Sequence, residues 1–588
     1  MTKQFRAALL ASAACSVALS MYPASVAHST VATASKKNPS EMREPTIRQM
    51  IVKLRNPKAA ELTAPLGADR VTALSNRAGV SMRAHRAMAL GASVLRLDTP
   101  LKLSEARAIA AKMAEDPEVE YAEPDMPVHA QTTPPDPSFL LRQWHFFAPT
   151  TTFSDVNIQL TGPNKMFTPT GAANLPGAWN VTQGSPSIVV ALVDNGVALT
   201  HPEVAAALLP GYDFVSSDVG AAGGLPANFV ANDGNGPDPD PSDPGDWITA
   251  ADRTNFPNLC DDPSAPPGDI DSTWHGTHMA GTIVGQWGVG NPPLPGTSTA
   301  GIAPNARLLP VRALGKCGGT SSDVHDAILW AAGFAVPNAP ANANPARIIN
   351  LSLGAQSTTC SQTYADAIAA VSGQALVIAA AGNEATAAVD EPARCPGVLA
   401  VTAHTINGDN ADYANIGPEI AISSPGGGPP TQLSTNAALD TDNGFYTWSS
   451  ILFGATTPTS TETGGTRSGP AIGGFTGTSG ATANVSGVAA LILSAKPTLT
   501  PIQLRAALVG NTRPHPAGGY CAAGQQGANQ CGSGLLDATA AMNSVVPPSS
   551  AGGGGALPAG GGGGGALPFA QLLLLGLFAL IARGRRSD

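Results

Sequence analysis

Two histidines stand three residues apart in His275-Gly-Thr-His278-Met-Ala-Gly-Thr282. Far upstream an aspartate opens Asp194-Asn-Gly196. Far downstream a serine lies in Gly477-Thr-Ser479-Gly-Ala-Thr482. A serine hydroxyl is a poor nucleophile until a base removes its proton. The base must in turn be oriented, and its imidazolium stabilised, by an acid. Aspartate, histidine, serine is one of three known chain orders for such a triad. Asp194, His275 and Ser479 are therefore the candidate acid, base and nucleophile, and His278 is read as a structural neighbour. Asn383, in Ala380-Ala-Gly-Asn383-Glu384, follows an apolar run. Its side-chain amide and the Ser479 N–H are candidate donors to a developing oxyanion. Ser479 opens an expected helix, Ser479 to Ser494, whose dipole favours negative charge at that end.

Taken singly, each residue has a plainer reading. Asp194 reads as a strand-end cap, Ser479 as a helix cap, Asn383 as a turn residue, and the histidines as metal ligands or turn residues. Their joint order and glycine flanks favour the triad.

Such residues need a rigid frame. Ile188–Val193, Arg307–Val311, Ile348–Leu353, Ala375–Ala380 and Val398–Thr402 are near-continuous apolar runs. Runs of this kind read as parallel strands buried on both faces. Helical stretches lie between them, at Ser322–Ala332 and Tyr364–Val371. The alternation predicts an α/β fold over residues 140–545: a doubly wound, mostly parallel sheet with helices on both faces. Its ligand site lies at the carboxyl ends of the strands. The stretch Asn415–Gly474 reads as inserted loops with some β structure. Residues 47–130 read as a separate small α+β unit of βαββαβ (ferredoxin-like) type. Its strands include Ile51–Leu54 and Ser93–Leu97, its clearest helix is Ser104–Glu115 capped by Ser104, and an extended segment follows at Val119–Asp125.

The chain has 588 residues, a formal net charge of −10 and only 13% charged residues, against about 25% in typical domains. That balance offers no basic surface for nucleic acid. Residues 1–27 read as a secretory signal: Lys3 and Arg6, a short apolar run, then Ser25-Val26-Ala27. Cys15 falls inside that run; a lipid anchor there is the minor alternative. Six further cysteines suit an exported, disulfide-bonded chain, and sequence neighbours suggest Cys260–Cys317, Cys360–Cys395 and Cys521–Cys531. Asp233, Asp238, Asp240, Asp243 and Asp246 crowd one acidic loop, Asn232–Trp247, and supply hard oxygen ligands suited to Ca2+. Residues 546–565 read as a Pro/Ser/Gly-rich linker. The tail 566–588 reads as an apolar membrane segment, Ala566–Ala582, closed by Arg583, Arg585 and Arg586.

Four segments resemble the subtilisin (subtilase) family of serine endopeptidases: Val193-Asp-Asn-Gly-Val197, His275–Thr282, Ala380–Glu384 and Gly477–Gly487. The resemblance implies that Asp194, His275 and Ser479 form the triad, and that Asn383 completes the oxyanion hole. It implies that Ser352-Leu353-Gly354 pairs with substrate backbone and that Gly318-Gly319 forms the opposite edge. Backbone pairing is largely sequence-independent and suits polypeptide substrates. The preceding small unit resembles the family's prodomain, a folding chaperone and intramolecular inhibitor that is later cut off. Subtilases often bind structural Ca2+, while catalysis needs no cofactor. One departure stands out: the usual Ser-Met-Ala-Thr-Pro-His is Ser479-Gly-Ala-Thr-Ala-Asn484 here. All triad positions are kept, so activity is expected to survive it. The glycine tracts, apolar span and arginines of the tail resemble sorting tails of Gram-negative exported proteins. Such tails imply export machinery, a rhomboid-type sorting protease, transient anchoring, and release or surface display. The expected molecule is a monomer acting on protein or peptide substrates. A non-catalytic binding module and an esterase are the rivals. The intact triad argues against the first and the paired substrate edges against the second.

Overall fold

The computed structural model describes residues 46–546, apart from 58–61, 131–142, 155–165, 217–227, 256–268, 288–298, 317, 429–445, 453 and 458–470. Seven strands form the central sheet. In spatial order they are Ile420–Pro425, Leu399–His404, Leu376–Ala380, Ile348–Leu351, Val189–Asp194, Arg307–Arg312 and Tyr212–Asp213. Every neighbouring pair is parallel. The four strands on either side of the first crossover are buried along nearly their whole length. That two-sided burial is why they read as unbroken apolar runs rather than alternating ones.

Strand order places the site. From Val189–Asp194 the chain moves to one side of the sheet, then returns to lay Ile348–Leu351 on the other side. The order reverses between these two strands, and ligands bind outside the carboxyl ends at such a switch point. Asp194 ends one strand, and Ser352 follows the other.

Helices cover both faces. His275–Val284 and Thr478–Ala495 pack against one face, in a core with Val190, Leu192, Ile378 and Val401. Ser321–Ala331 and Gln362–Val371 cover the other face, with Val193, Leu309, Ile349 and Val377. Thr320 caps the Ser321 helix by accepting the Asp323 N–H.

The N-terminal unit has the expected βαββαβ order. Thr46–Leu54, Met82–Ala87, Ala92–Lys102 and Val119–Pro124 form one antiparallel sheet, with helices Ala68–Ala78 and Leu103–Ala114. One local expectation fails. Lys102, not Ser104, precedes the second helix, and Glu105 Oε2 accepts the Lys102 N–H at 2.9 Å. A carboxylate in the first turn thus satisfies an amide that a serine cap was expected to serve.

This unit docks on the helices of the second face. Asp125 takes the Ser321 and Ser322 hydroxyls at 2.7 and 2.6 Å and the Ser322 N–H at 2.9 Å. Glu123 takes the Gln362 and Thr363 N–H groups at 2.6 and 2.5 Å. Two carboxylates therefore sit on two helix N-termini, where the helix dipole favours them. Arg86 reaches the same helix and pairs with Asp323 and Asp326. The two sheets belong to a single compact unit.

Cys360–Cys395 and Cys521–Cys531 are bonded, with Cα–Cα distances of 5.0 and 5.9 Å. Cys260 and Cys317 lie outside the described residues, as do the signal segment and the apolar tail. No helix among the described residues is long and apolar enough to cross a membrane.

Three buried imidazoles impose a pH dependence. Burial pushes His145, His278 and His404 down to about 3. Burial keeps His404 neutral, with Arg513 and His515 nearby working the same way. Its Nδ1 lies 2.8 Å from Ser423 Oγ, and its Nε2 lies 2.7 Å from the Gly171 carbonyl, which alone favours the charged form. A group with a depressed imidazole pKa binds fewer protons folded than unfolded. Its stabilisation is complete above about pH 6.5 and is lost as pH falls toward 3. Buried Asp213 and Glu391, raised to about 8 and about 7, push the other way as pH rises. The difference between two proteins therefore isolates His404. We expect His404→Gln to lower Tm at pH 7, yet to lose less Tm than the parent between pH 7 and 4.5. Calorimetry of both at the two pH values checks this; parallel losses would refute it.

Candidate active site

Asp194 is the last residue of a buried strand, and His275 the first residue of a helix buried over all ten positions. The His275 Nδ1–H donates to Asp194 Oδ1 at 2.6 Å. The contact is fully buried, with 0% and 1% side-chain exposure, and charge-assisted bonds of this length are strong. A glycine must follow the histidine. A Cβ at Gly276 would stand 2.0 Å from the Gly196 carbonyl oxygen. The two segments can approach only because that helix accepts a residue costing about 1 kcal/mol in helix propensity. His275 Nε2 is buried and has no hydrogen-bond partner among the described residues.

Ser479 is the second residue of the helix Thr478–Ala495, which packs beside the His275 helix. Its position follows from burial: Thr478 to Leu493 are all buried, so the helix runs through the core rather than over it. Ser479 Oγ donates to the Ser352 carbonyl at 3.1 Å, and Ser352 Oγ donates to the Ser479 carbonyl at 3.0 Å. The serine thus touches the end of the Ile348–Leu351 strand. Gly480, the departure from the family pattern, leaves little room: a Cβ there would meet buried Thr447 Oγ1 at 3.1 Å.

Asn383 stands just beyond the Leu376–Ala380 strand. Its Oδ1 accepts the Thr478 N–H at 2.9 Å and the Thr478 hydroxyl at 3.0 Å. That leaves its Nδ2 group as the donor, beside the first turn of the Ser479 helix, whose N–H groups lack intrahelical acceptors. Gly382 makes this turn at φ 107°, and a Cβ there would stand 2.2 Å from Asn415 Nδ2. Asn415 holds the loop from behind. Its Oδ1 accepts the Glu384 and Thr386 N–H groups and the Thr386 hydroxyl at 3.2, 3.0 and 3.0 Å. Nothing in its sequence surroundings marked Asn415 for this part.

His278 lies against Phe475, ring centroids 4.0 Å apart, with Nε2 3.3 Å from the Gly473 carbonyl. The same Phe475 ring lies 6.3 Å from that of His275.

The two glycine edges are bridged by the chain itself. Pro127–Ala130 runs between Gly318–Thr320 and Leu353–Gly354, antiparallel to both. Gly319 pairs with Val128, Gly354 with His129 and Leu353 with Ala130.

The aspartates of the acidic loop serve its turns. Among the described residues there is no group of three or more His, Cys, Asp or Glu side chains placed to hold a metal ion. Asp233, Asp238, Asp240 and Asp243 each accept the N–H two residues on, at 3.2, 2.8, 3.0 and 2.9 Å. These are Asx turns, in which the carboxylate bends back on its own backbone. Asp233 also pairs with Arg312 at 2.6 Å, and Asp246 binds Thr273.

An aspartate–histidine pair beside a serine on a buried helix terminus, at the switch point of a parallel α/β sheet, defines a serine hydrolase. A model of the subtilase family matches residues 185–534. The chain is 36% identical over 496 residues to an extracellular protease of Xanthomonas campestris, covering 84% of this chain and 71% of that protein. It is 34% identical to an extracellular basic protease of Dichelobacter nodosus, covering 80% of this chain and 65% of that one. Among solved structures, a Pseudoalteromonas arctica protease is similar with TM-score 0.53 and 35% identity, covering 70% of this chain and all of that chain. The chain belongs to the subtilase family and is a subtilisin-like serine endopeptidase.

Proposed function

We propose that Ser479 is the nucleophile, His275 the general base, Asp194 the residue that orients it, and Asn383 Nδ2 with the Ser479 N–H the oxyanion donors. His275 Nδ1 is committed to Asp194, so Nε2 is the nitrogen left to take a proton. The Ser479 hydroxyl turns from the Ser352 carbonyl toward it as substrate enters. The serine oxygen then attacks the peptide carbonyl carbon while its proton passes to His275 Nε2. The tetrahedral oxyanion is held by the two donors. His275 next returns the proton to the leaving amine as the C–N bond breaks, leaving an acyl-enzyme. Water, deprotonated by the same nitrogen, releases the acid.

We further propose that residues 47–130 are an inhibitory prodomain and residues 140–545 the peptidase domain. One observation carries this: Pro127–Ala130 occupies the track between Gly318–Gly319 and Leu353–Gly354 as a third strand. The register ends with Ala130 opposite Leu353, the residue after Ser352, whose carbonyl holds the Ser479 hydroxyl. The chain thereby models its own substrate: an extended backbone, read by pairing. Maturation cuts just after Ala130. Export to the cell exterior is supported by the two bacterial relatives, both extracellular proteases, and the tail, with its rhomboid-type processing, serves transient anchoring. Mass spectrometry of the mature N-terminus tests the zymogen reading. The wild type should begin within a few residues after Ala130, and the Ser479→Ala chain should retain the whole segment. A mature start before Glu118, or normal processing of Ser479→Ala in isolation, would refute it.

A further inference from the structure

We infer that Asp246 is a positioning residue for the aspartate–histidine pair: it clasps the Asp194 strand end to the segment that launches His275. The inference rests on the assignment of Asp194 and His275 proposed above. Asp246 lies in the acidic loop, half-buried. Its Oδ1 accepts the Thr273 N–H at 2.7 Å, and its Oδ2 accepts the Thr273 hydroxyl at 2.7 Å. Thr273 is two residues before His275. On the other side, Asn195 Nδ2 reaches Asp246 Oδ2 and Thr273 Oγ1, each at 3.4 Å. Asn195 directly follows Asp194 and donates its own N–H to Asp194 Oδ1 at 2.8 Å. Its Oδ1 accepts the Gly276 N–H at 2.9 Å, just beyond His275. The acid and the base are therefore linked twice: directly, and through Asn195, Asp246 and Thr273.

The backbone between Thr273 and His275 gives this clasp its purpose. Trp274 is left-handed, φ 51° and ψ 33°, immediately before the helix. A bulky residue in that region is strained and persists only where its surroundings over-determine it. Two fixings surround it. Trp274 Nε1–H donates to the Gly454 carbonyl at 3.0 Å, and Asp246 pins the preceding residue by both its donors. Relaxing Trp274 toward an ordinary conformation would swing the His275 Cα relative to Asp194. Aspartate suits the task because its carboxylate accepts from three donors at once. Asparagine offers one oxygen and turns an NH2 toward the Thr273 or Asn195 donors.

The test uses the mature full enzyme with active sites counted by fluorophosphonate titration. In Asp246→Asn and Thr273→Val, kcat per titrated site should fall on the order of 10^2-fold with KM little changed, as expected for a misplacement near 1 Å. Thr273→Ser keeps both donors and should restore kcat. The low-field proton resonance of His275 Nδ1–H should shift or broaden in the two damaging variants and return in Thr273→Ser. A purely structural role would lower Tm and the titratable fraction but leave kcat per site and that resonance as in the parent. Values of kcat per site within about threefold of the parent in both variants would overturn the inference. If Asp246→Asn yields no folded enzyme, Thr273→Val alone decides. Ser479→Ala, run in parallel, separates the two levels: hydrolysis surviving there would remove the triad assignment itself.

Discussion

Replacing Ser479 by alanine is expected to lower kcat by about a million-fold, with casein or peptide binding nearly unchanged. The size is that seen when the nucleophile or base is removed from subtilisin, a family relative. The reason is in the geometry. Ser479 Oγ is the hydroxyl on the first turn of the buried helix beside His275, and Asn383, the proposed oxyanion donor, is tied to that turn. His275→Ala should cost about as much, because without a base the hydroxyl keeps its proton. The double variant should cost no more than either single one, since the two residues act as a unit. Residual hydrolysis of about 10^3–10^4-fold over water is expected in all three, from the donors and binding alone. Additive losses, or an active Ser479→Ala enzyme, would contradict this.

The second large effect concerns Asp194. Its Oδ1 accepts both His275 Nδ1–H and the Asn195 N–H, whereas Oδ2 is buried with no hydrogen-bond partner among the described residues. Asp194→Asn keeps the shape and removes the charge. Either amide orientation leaves a fault. With Nδ2 toward His275, the imidazole must carry its proton on Nε2, where it cannot act as base. With Oδ1 toward His275, the imidazolium formed in the reaction loses its countercharge. We expect kcat to fall about 10^4-fold near neutral pH while Tm changes little. Stopped assays across pH 6 to 10 should show part of that loss recovered at high pH, where hydroxide replaces the base. A loss below tenfold would mean that the imidazole is oriented by something other than Asp194.

The parts legible in the sequence were those whose physics is local. A strand buried on both faces has to be apolar throughout, so Val189–Asp194 and Leu376–Ala380 could be placed from residue type alone. Tight approach of two backbones demands glycine, so the flanks of His275 and Asn383 announced themselves. Pairings between distant segments were hidden. No local pattern says that Ile348–Leu351 returns beside Val189–Asp194, or that Asn415 braces the Asn383 loop. The acidic loop was ambiguous because ligand chemistry and turn chemistry use the same side chain. Asp238 and Asp240 look identical as a calcium ligand and as the cap of an Asx turn, and only backbone direction separates the two. Asp246 was noticed for its charge, while its reach to Thr273, 27 residues along the chain and two before His275, has no sequence signature. Lys102 displaced Ser104 at a helix start for a similar reason: Glu105, one residue further, met the exposed amide instead.

The central claim is that one serine hydroxyl, activated by His275 and Asp194, performs the hydrolysis. Mass-spectrometric mapping of a fluorophosphonate adduct on the mature enzyme tests it most directly. The account predicts a single adduct on Ser479, formed in step with loss of proteolysis and absent from His275→Ala. An adduct on another residue, or full proteolysis with Ser479 modified, would contradict it.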